Sequence, residues 1–94
     1  MDINAAIGAI VTKNSVQNSG SGIFARDSSD LTISFNSVSG GQTGIFLQNL
    51  LNNNSQVTRN VVTHNSIIDC LSDTSGVTFS KNTCGTESPA GAWD

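Results

Sequence analysis

The sequence predicts an all-β fold: a single-stranded right-handed parallel β-helix of about four coils, with a period of about 22 residues. Three observations predict it. An alternating apolar run, followed two residues later by asparagine, returns four times. Those asparagines, Asn14, Asn36, Asn60 and Asn82, are spaced 22, 24 and 22 residues apart. A Gly-Ile-Phe block stands eight residues after the first two of them, at Gly22 and Gly44. An antiparallel sandwich also uses short strands, but it does not require one residue type to return at a fixed period. A solenoid does, because equivalent positions stack about 4.8 Å apart.

The elements follow in order. The four copies of the first block are Ala9 to Val16, Leu31 to Val38, Ser55 to Val62 and Val77 to Cys84. Each is too short for a helix and is rich in β-branched residues, which favour strands. Alternation sends neighbouring side chains to opposite faces, so Leu31 and Ile33 point one way and Thr32 and Ser34 the other. Stacking then sorts residues into columns. Val16, Val38, Val62 and Cys84 form one inward column, and Val11, Ile33, Val57 and Phe79 a second. Ile23 and Ile45 begin a third, in which either Ile67 or Ile68 takes the inward slot; the eight-residue offset favours Ile68 with Cys70. Thr12, Ser34, Thr58 and Ser80 form an outward hydroxyl stripe.

Asn14, Asn36, Asn60 and Asn82 form a ladder at a corner. An amide both donates and accepts, so stacked copies hydrogen-bond along the axis. Asparagine also tolerates the left-handed backbone that such a corner calls for. Residues 1–84 are therefore read as coils. Residues 85–94 break the repeat: Pro89 stops strand extension, and Trp93 is placed to fold over the last coil as a cap. The first residues, Met1 to Ala6, offer no helix or polar segment long enough to cover a coil. That N-terminal face is expected to stack on another chain or on a missing domain.

Composition narrows the function. The chain has 94 residues, four Lys+Arg and seven Asp+Glu, for a formal charge of −3. Nucleic acid and anionic membranes need a basic face, so neither is an expected partner. No apolar run approaches the length of a membrane span, and no secretory leader is evident at the start. Cys70 and Cys84 lie fourteen apart; they are either a disulfide or two buried thiols on adjacent coils, since spacing alone does not supply the Cα separation a bridge needs. With the lone His64, which reads as a turn residue, they do not make up a zinc site.

Catalytic constellations are equally sparse. Calcium needs six to eight oxygens, several from carboxylates. Asp27 and Asp30 share a turn, and Asp69 and Asp73 lie near the equivalent turn two coils on, but Asn49 and Asn52 stand between them. These acids read as solvated turn carboxylates. No pair of aspartates is set out for inverting glycoside hydrolysis. Lys13, Arg59 and Lys81 precede ladder asparagines and make an outward cationic stripe. The plainer reading is protection of an exposed strand against edge pairing; the sharper one is contact with an acidic glycan. No metal or other cofactor is expected.

The Asn-Ser-Val and Gly-Ile-Phe pairs at Asn14/Gly22 and Asn36/Gly44 resemble the right-handed parallel β-helix repeat proteins, whose repeats occur in pectate lyases, other polysaccharide-degrading enzymes and NosD-like periplasmic proteins. The resemblance spans residues 9–84 and implies architecture rather than activity. The tail from Asn82 to Gly91 looks like the ending of small bacterial surface or spore-associated members, in which a further cysteine follows the Pro-Ala-Gly stretch; Ala92-Trp93-Asp94 stands here instead. The expectation is a non-catalytic structural solenoid that forms homo-oligomers through its end coils on a bacterial surface, spore or phage particle, in an extracellular setting. The alternatives are a carbohydrate-binding module and a fragment of a polysaccharide lyase or glycoside hydrolase. Tyrosine is absent, only Trp93 and four phenylalanines are present, and several of those phenylalanines are expected to point inward, so the aromatic platform that sugar binding uses is missing.

Overall fold

A computed structural model describes residues 1–17, 20–51 and 54–94. Asn52, one of the two asparagines expected to interrupt the acidic column, lies outside the described residues. The first coil runs through β1 (Asp2–Asn4), β2 (Ile10–Thr12) and β3 (Ser15–Gln17). The second comprises β4 (Ser21–Arg26), β5 (Thr32–Ser34) and β6 (Ser37–Ser39), and the third β7 (Thr43–Gln48), β8 (Gln56–Thr58) and β9 (Val61–Thr63). The fourth comprises β10 (Ile68–Ser72), β11 (Thr78–Ser80) and β12 (Thr83–Cys84), after which β13 (Glu87–Ser88) follows.

These strands form three parallel sheets, each built from one strand per coil: β1-β4-β7-β10-β13, β2-β5-β8-β11 and β3-β6-β9-β12. The result is a right-handed solenoid with three faces. The predicted columns stack in register. Val11 pairs with Ile33, Ile33 with Val57 and Val57 with Phe79. Val16, Val38, Val62 and Cys84 do the same on the third face. On the first face Ile3, Ala25 and Leu47 stack inward beside Ile23 and Ile45. The inward columns meet along the axis as a single apolar core.

The entry to the fourth coil departs from the expected column. Cys70, not Ile68, stacks on Ile45, and Ile68 pairs with Thr43. Ile67 is 70% exposed. The reason is the length of the turn. Nine residues separate Asn14 from Ile23 and Asn36 from Ile45, but ten separate Asn60 from Cys70. The added residue delays strand entry, so Asp69 occupies the slot of Gly22 and Gly44, and Cys70 takes the isoleucine slot.

The corner between the second and third faces also differs from expectation. The left-handed backbone falls on the residue before each ladder asparagine: Lys13, Phe35, Arg59 and Lys81, with φ of 60°, 56°, 56° and 58°. A bulky residue rarely adopts this region. It does so here because the chain must turn sharply while the asparagine side chain enters the wall, so the strain falls on its neighbour.

The tail continues the solenoid before closing it. β13 adds to β10, pairing Glu87 with Cys70 and Ser88 with Leu71, and stops before Pro89. Trp93 is fully buried, its ring centroid 4.5 Å from that of Phe79. It takes the next place in the Val11 column. Lys81 N–H donates to the Asp94 carbonyl at 3.2 Å, as Arg59 N–H donates to Ser80 and Phe35 N–H to Thr58 in earlier coils. The indole N–H donates to the Ser88 carbonyl, which satisfies the polar edge of an otherwise apolar lid.

The coils approach closely at Gly44. A methyl group there would overlap Val62 Cγ1 and the Asp69 carbonyl oxygen. Overpacking a rigid parallel stack costs about 3 kcal/mol. Gly44→Ala is therefore expected to lower the urea midpoint sharply, whereas Gly20→Ala, with open space around it, stays within about 0.5 kcal/mol of the parent.

Candidate functional site

Among the described residues the polar chemistry gathers at the asparagine ladder, the Asp69 carboxylate and the two charged corners. The ladder is continuous. The backbone N–H and side-chain Nδ2 of Asn14 both donate to Asn36 Oδ1 at 3.0 Å. Asn36 repeats this toward Asn60, at 3.0 and 2.9 Å, and Asn60 toward Asn82, at 3.1 and 2.9 Å. The second Nδ2 hydrogen of Asn36, Asn60 and Asn82 goes to the carbonyl of Val11, Ile33 and Val57 respectively. The last amide, with no further asparagine above it, donates to the Trp93 carbonyl at 2.8 Å. Asn36, Asn60 and Asn82 are buried, and each side-chain atom has its partner, as buried amides require.

Asp69 was not singled out by sequence as anything but a turn acid. It is 3% exposed. Its Oδ1 accepts from the backbone N–H of Asn65 at 2.9 Å and from Asn65 Nδ2 at 2.8 Å. Its Oδ2 accepts from the Thr86 N–H at 2.8 Å and the Thr86 hydroxyl at 3.1 Å. Burial alone would raise its pKa, but these four donors outweigh it and hold the carboxyl below its ordinary value of 3.8. The aspartate thereby ties the long turn of the third coil to the start of the tail. The signal was available: aligning on Cys70 places Asp69 over the two glycines, where a side chain must have a specific reason to exist.

Beside it, Cys70 and Cys84 are joined by a disulfide, with Cα atoms 6.1 Å apart. It links β10 on the first face to β12 on the third, and closes a fourteen-residue separation. In the chain-entropy description such a link is worth about 3 kcal/mol.

Sequence-predicted acids are placed as follows. Asp27 and Asp73 lie on the corner after the first face, bridged by Asn49. Asn49 Nδ2 donates to Asp27 Oδ1 at 2.7 Å, and Asn49 N–H to Asp73 Oδ1 at 2.9 Å. Asp30 is exposed nearby. A shallow polar recess lined by Asn49, Leu50, Asp73, Thr74 and Ser75 opens there. Among the described residues no three His, Cys, Asp or Glu side chains gather closely enough to hold a metal ion. His64 is an exposed corner residue with φ of 61°.

Of the phenylalanines, several of which the sequence places inward, Phe79 alone packs on the core, beside Trp93. Phe24 and Phe46 stand on the outer side of the first face, stacked at 4.9 Å with 12° between planes. The Arg26 guanidinium lies over Phe24 at 5.3 Å, and that arginine also pairs with Asp2 at 3.1 Å. Phe35 is exposed at its corner with Arg59 over its ring at 5.6 Å. A sugar stacks on an open ring face. Here the coils stack rings on one another and arginines on rings, so those faces are largely occupied from within the chain.

A family model described as a right handed beta helix region matches residues 2–93. No curated protein and no solved structure matches the chain.

The ladder and the aspartate each generate a test. Asn60→Ala removes the two bonds that Asn60 Oδ1 accepts, leaving the buried Asn36 N–H and one Asn36 Nδ2 hydrogen without acceptors. It also removes the two that Asn60 Nδ2 donates, so Asn82 Oδ1 keeps only the residue 60 backbone N–H. It should cost about 3 kcal/mol or more in urea unfolding, against about 1 kcal/mol for Asn14→Ala at the open end of the ladder. For Asp69, the folded pKa lies below the unfolded one. Its contribution to stability is therefore complete above the unfolded value near 3.8 and is lost as pH falls through the folded one. Melting temperatures of the parent should fall with acid below that point, and Asp69→Asn should be less stable near neutrality and flatten that part of the pH profile.

Proposed function

The chain belongs to the right-handed β-helix family, and we propose that within it this protein is a non-catalytic structural module that assembles through its first coil. The observation that carries this reading is the difference between the two ends. At the C-terminal end the ladder is closed by the Trp93 carbonyl and the second face by the Asp94 carbonyl. At the other end β1, β2 and β3 present the outer edges of all three sheets. Asn14 there turns its spare amide hydrogen back to the Thr12 carbonyl of its own strand. Ile7 and Ile10 are 81% and 72% exposed on the same coil. Open parallel edges flanked by exposed isoleucines invite addition of another β-layer.

Catalysis is the less supported reading because the acids are dispersed: Asp69 is consumed by four structural hydrogen bonds, and Asp27 and Asp73 are bridged by Asn49. Carbohydrate binding is favoured by the flat hydroxyl stripe and disfavoured by the covered aromatic faces. A disulfide in so small a domain suits an oxidising compartment, which agrees with an extracellular or surface setting.

Sedimentation velocity across a hundredfold range of concentration, in moderate salt, checks the assembly. Mass should rise with concentration, and Ile7→Lys/Ile10→Lys should reduce the association at least tenfold without lowering the melting temperature. A parent protein that stays monomeric throughout would sink the reading.

A further inference from the structure

The charges of this solenoid are sorted by corner. Lys13, Arg59 and Lys81, three of its four cations, lie exposed along the corner between the second and third faces. Asp27, Asp30 and Asp73 lie exposed along the corner after the first face. The fourth cation, Arg26, is paired with Asp2. Among the described residues the three corner cations have no acidic partner within 4 Å, and neither do the three corner acids have a basic one.

The spacings on the two corners match. Lys13 and Arg59 stand two coils apart with Phe35 between them, fixed by the pairing of β2, β5 and β8 that precedes each. Asp27 and Asp73 stand two coils apart with Asn49 between them, fixed by its two hydrogen bonds. Both separations are therefore about 10 Å, twice the strand spacing. We infer that these corners are complementary faces of a lateral contact between two copies of this chain, with the cationic corner of one lying along the acidic corner of the next. Fourteen residues of a 22-residue coil separate Lys13 from Asp27, so a neighbour displaced by about 3 Å along the axis brings both pairs opposite each other.

The contact is heterologous. Each copy keeps a free acidic corner after using its cationic one, so the association grows into rows rather than stopping at a pair. It is also weak and screened. One exposed ion pair contributes little, and the interaction fades once the Debye length falls below the pair separation. Lateral contact is thus a property of crowded, oriented copies, and it is independent of the end association proposed above, which rests on strand edges and apolar side chains and persists in salt.

Static light scattering at low and high salt tests it. The weight-average mass of the parent at low salt should at least double with concentration beyond its high-salt value. Lys13→Ala/Arg59→Ala and Asp27→Asn/Asp73→Asn should each lose that salt-sensitive increment. The asparagines retain oxygen acceptors for the Asn49 bonds, and melting temperatures report whether each fold is intact. Mixed in equal amounts, the two variants should regain a salt-sensitive complex that stops at one copy of each, because each supplies one intact corner. Three results would overturn the inference: a parent whose mass does not respond to salt, a corner variant that still associates as the parent does, or two folded variants that fail to combine.

Discussion

Everything in this molecule depends on keeping register from coil to coil. Each asparagine in the ladder must lie over the last, because its oxygen receives both the backbone and the side-chain hydrogens of the one before it. A slip of one residue would send every inward valine to the solvent side. It would also leave buried amide groups without partners, and that cost is larger than the loss of a single apolar contact. The ladder therefore does more than stabilise a corner; it selects the one stacking in which the apolar columns can form. The 24-residue interval between Asn36 and Asn60 is tolerated because the added residues fall between β7 and β8, while the strands on either side still pair in step.

The same constraint explains why strained backbone is accepted where it is. Lys13, Phe35, Arg59 and Lys81 all hold a left-handed conformation that glycine would adopt more readily. Their side chains are outside, so residue type is free to serve the surface, and the adjacent amide holds the turn from within. The turn from the third coil into the fourth shows how far the design stretches. Its extra turn residue puts a carboxylate where earlier coils have glycine, and that carboxylate is accommodated because Asn65 and Thr86 supply four donors. The disulfide beside it fastens the last full coil just before the regular repeat gives out.

Much of this was legible in the sequence, because a solenoid writes its stacking directly as a period. The Val11, Val16 and asparagine columns follow from counting between asparagines. What was not legible depends on single residues of turn length or on three-dimensional distance. Counting eight residues from Asn60 arrives at Ile68, and only the pairing of β7 with β10 shows that the turn is one longer. The separation of Cys70 and Cys84 is set by two different faces, which the period does not relate. Phe24 and Phe46 look like core residues by hydrophobicity, yet alternation from the buried Ile23 and Ile45 already assigns them to the outside. The repeat-breaking composition after Cys84 likewise concealed β13 and the place of Trp93 above Phe79, since a cap needs to copy the geometry of a coil rather than its sequence.

The asparagine ladder has a direction. Along its whole length the amides donate toward the C-terminal coil and accept from the N-terminal one, so their side-chain dipoles add instead of cancelling. The prism consequently carries a built-in axial polarity, distinct from its formal charge. Its first coil ends in an oxygen and its last in an amide hydrogen that only a carbonyl such as that of Trp93 can receive. Whatever extends the ladder from the first coil must arrive hydrogen-first.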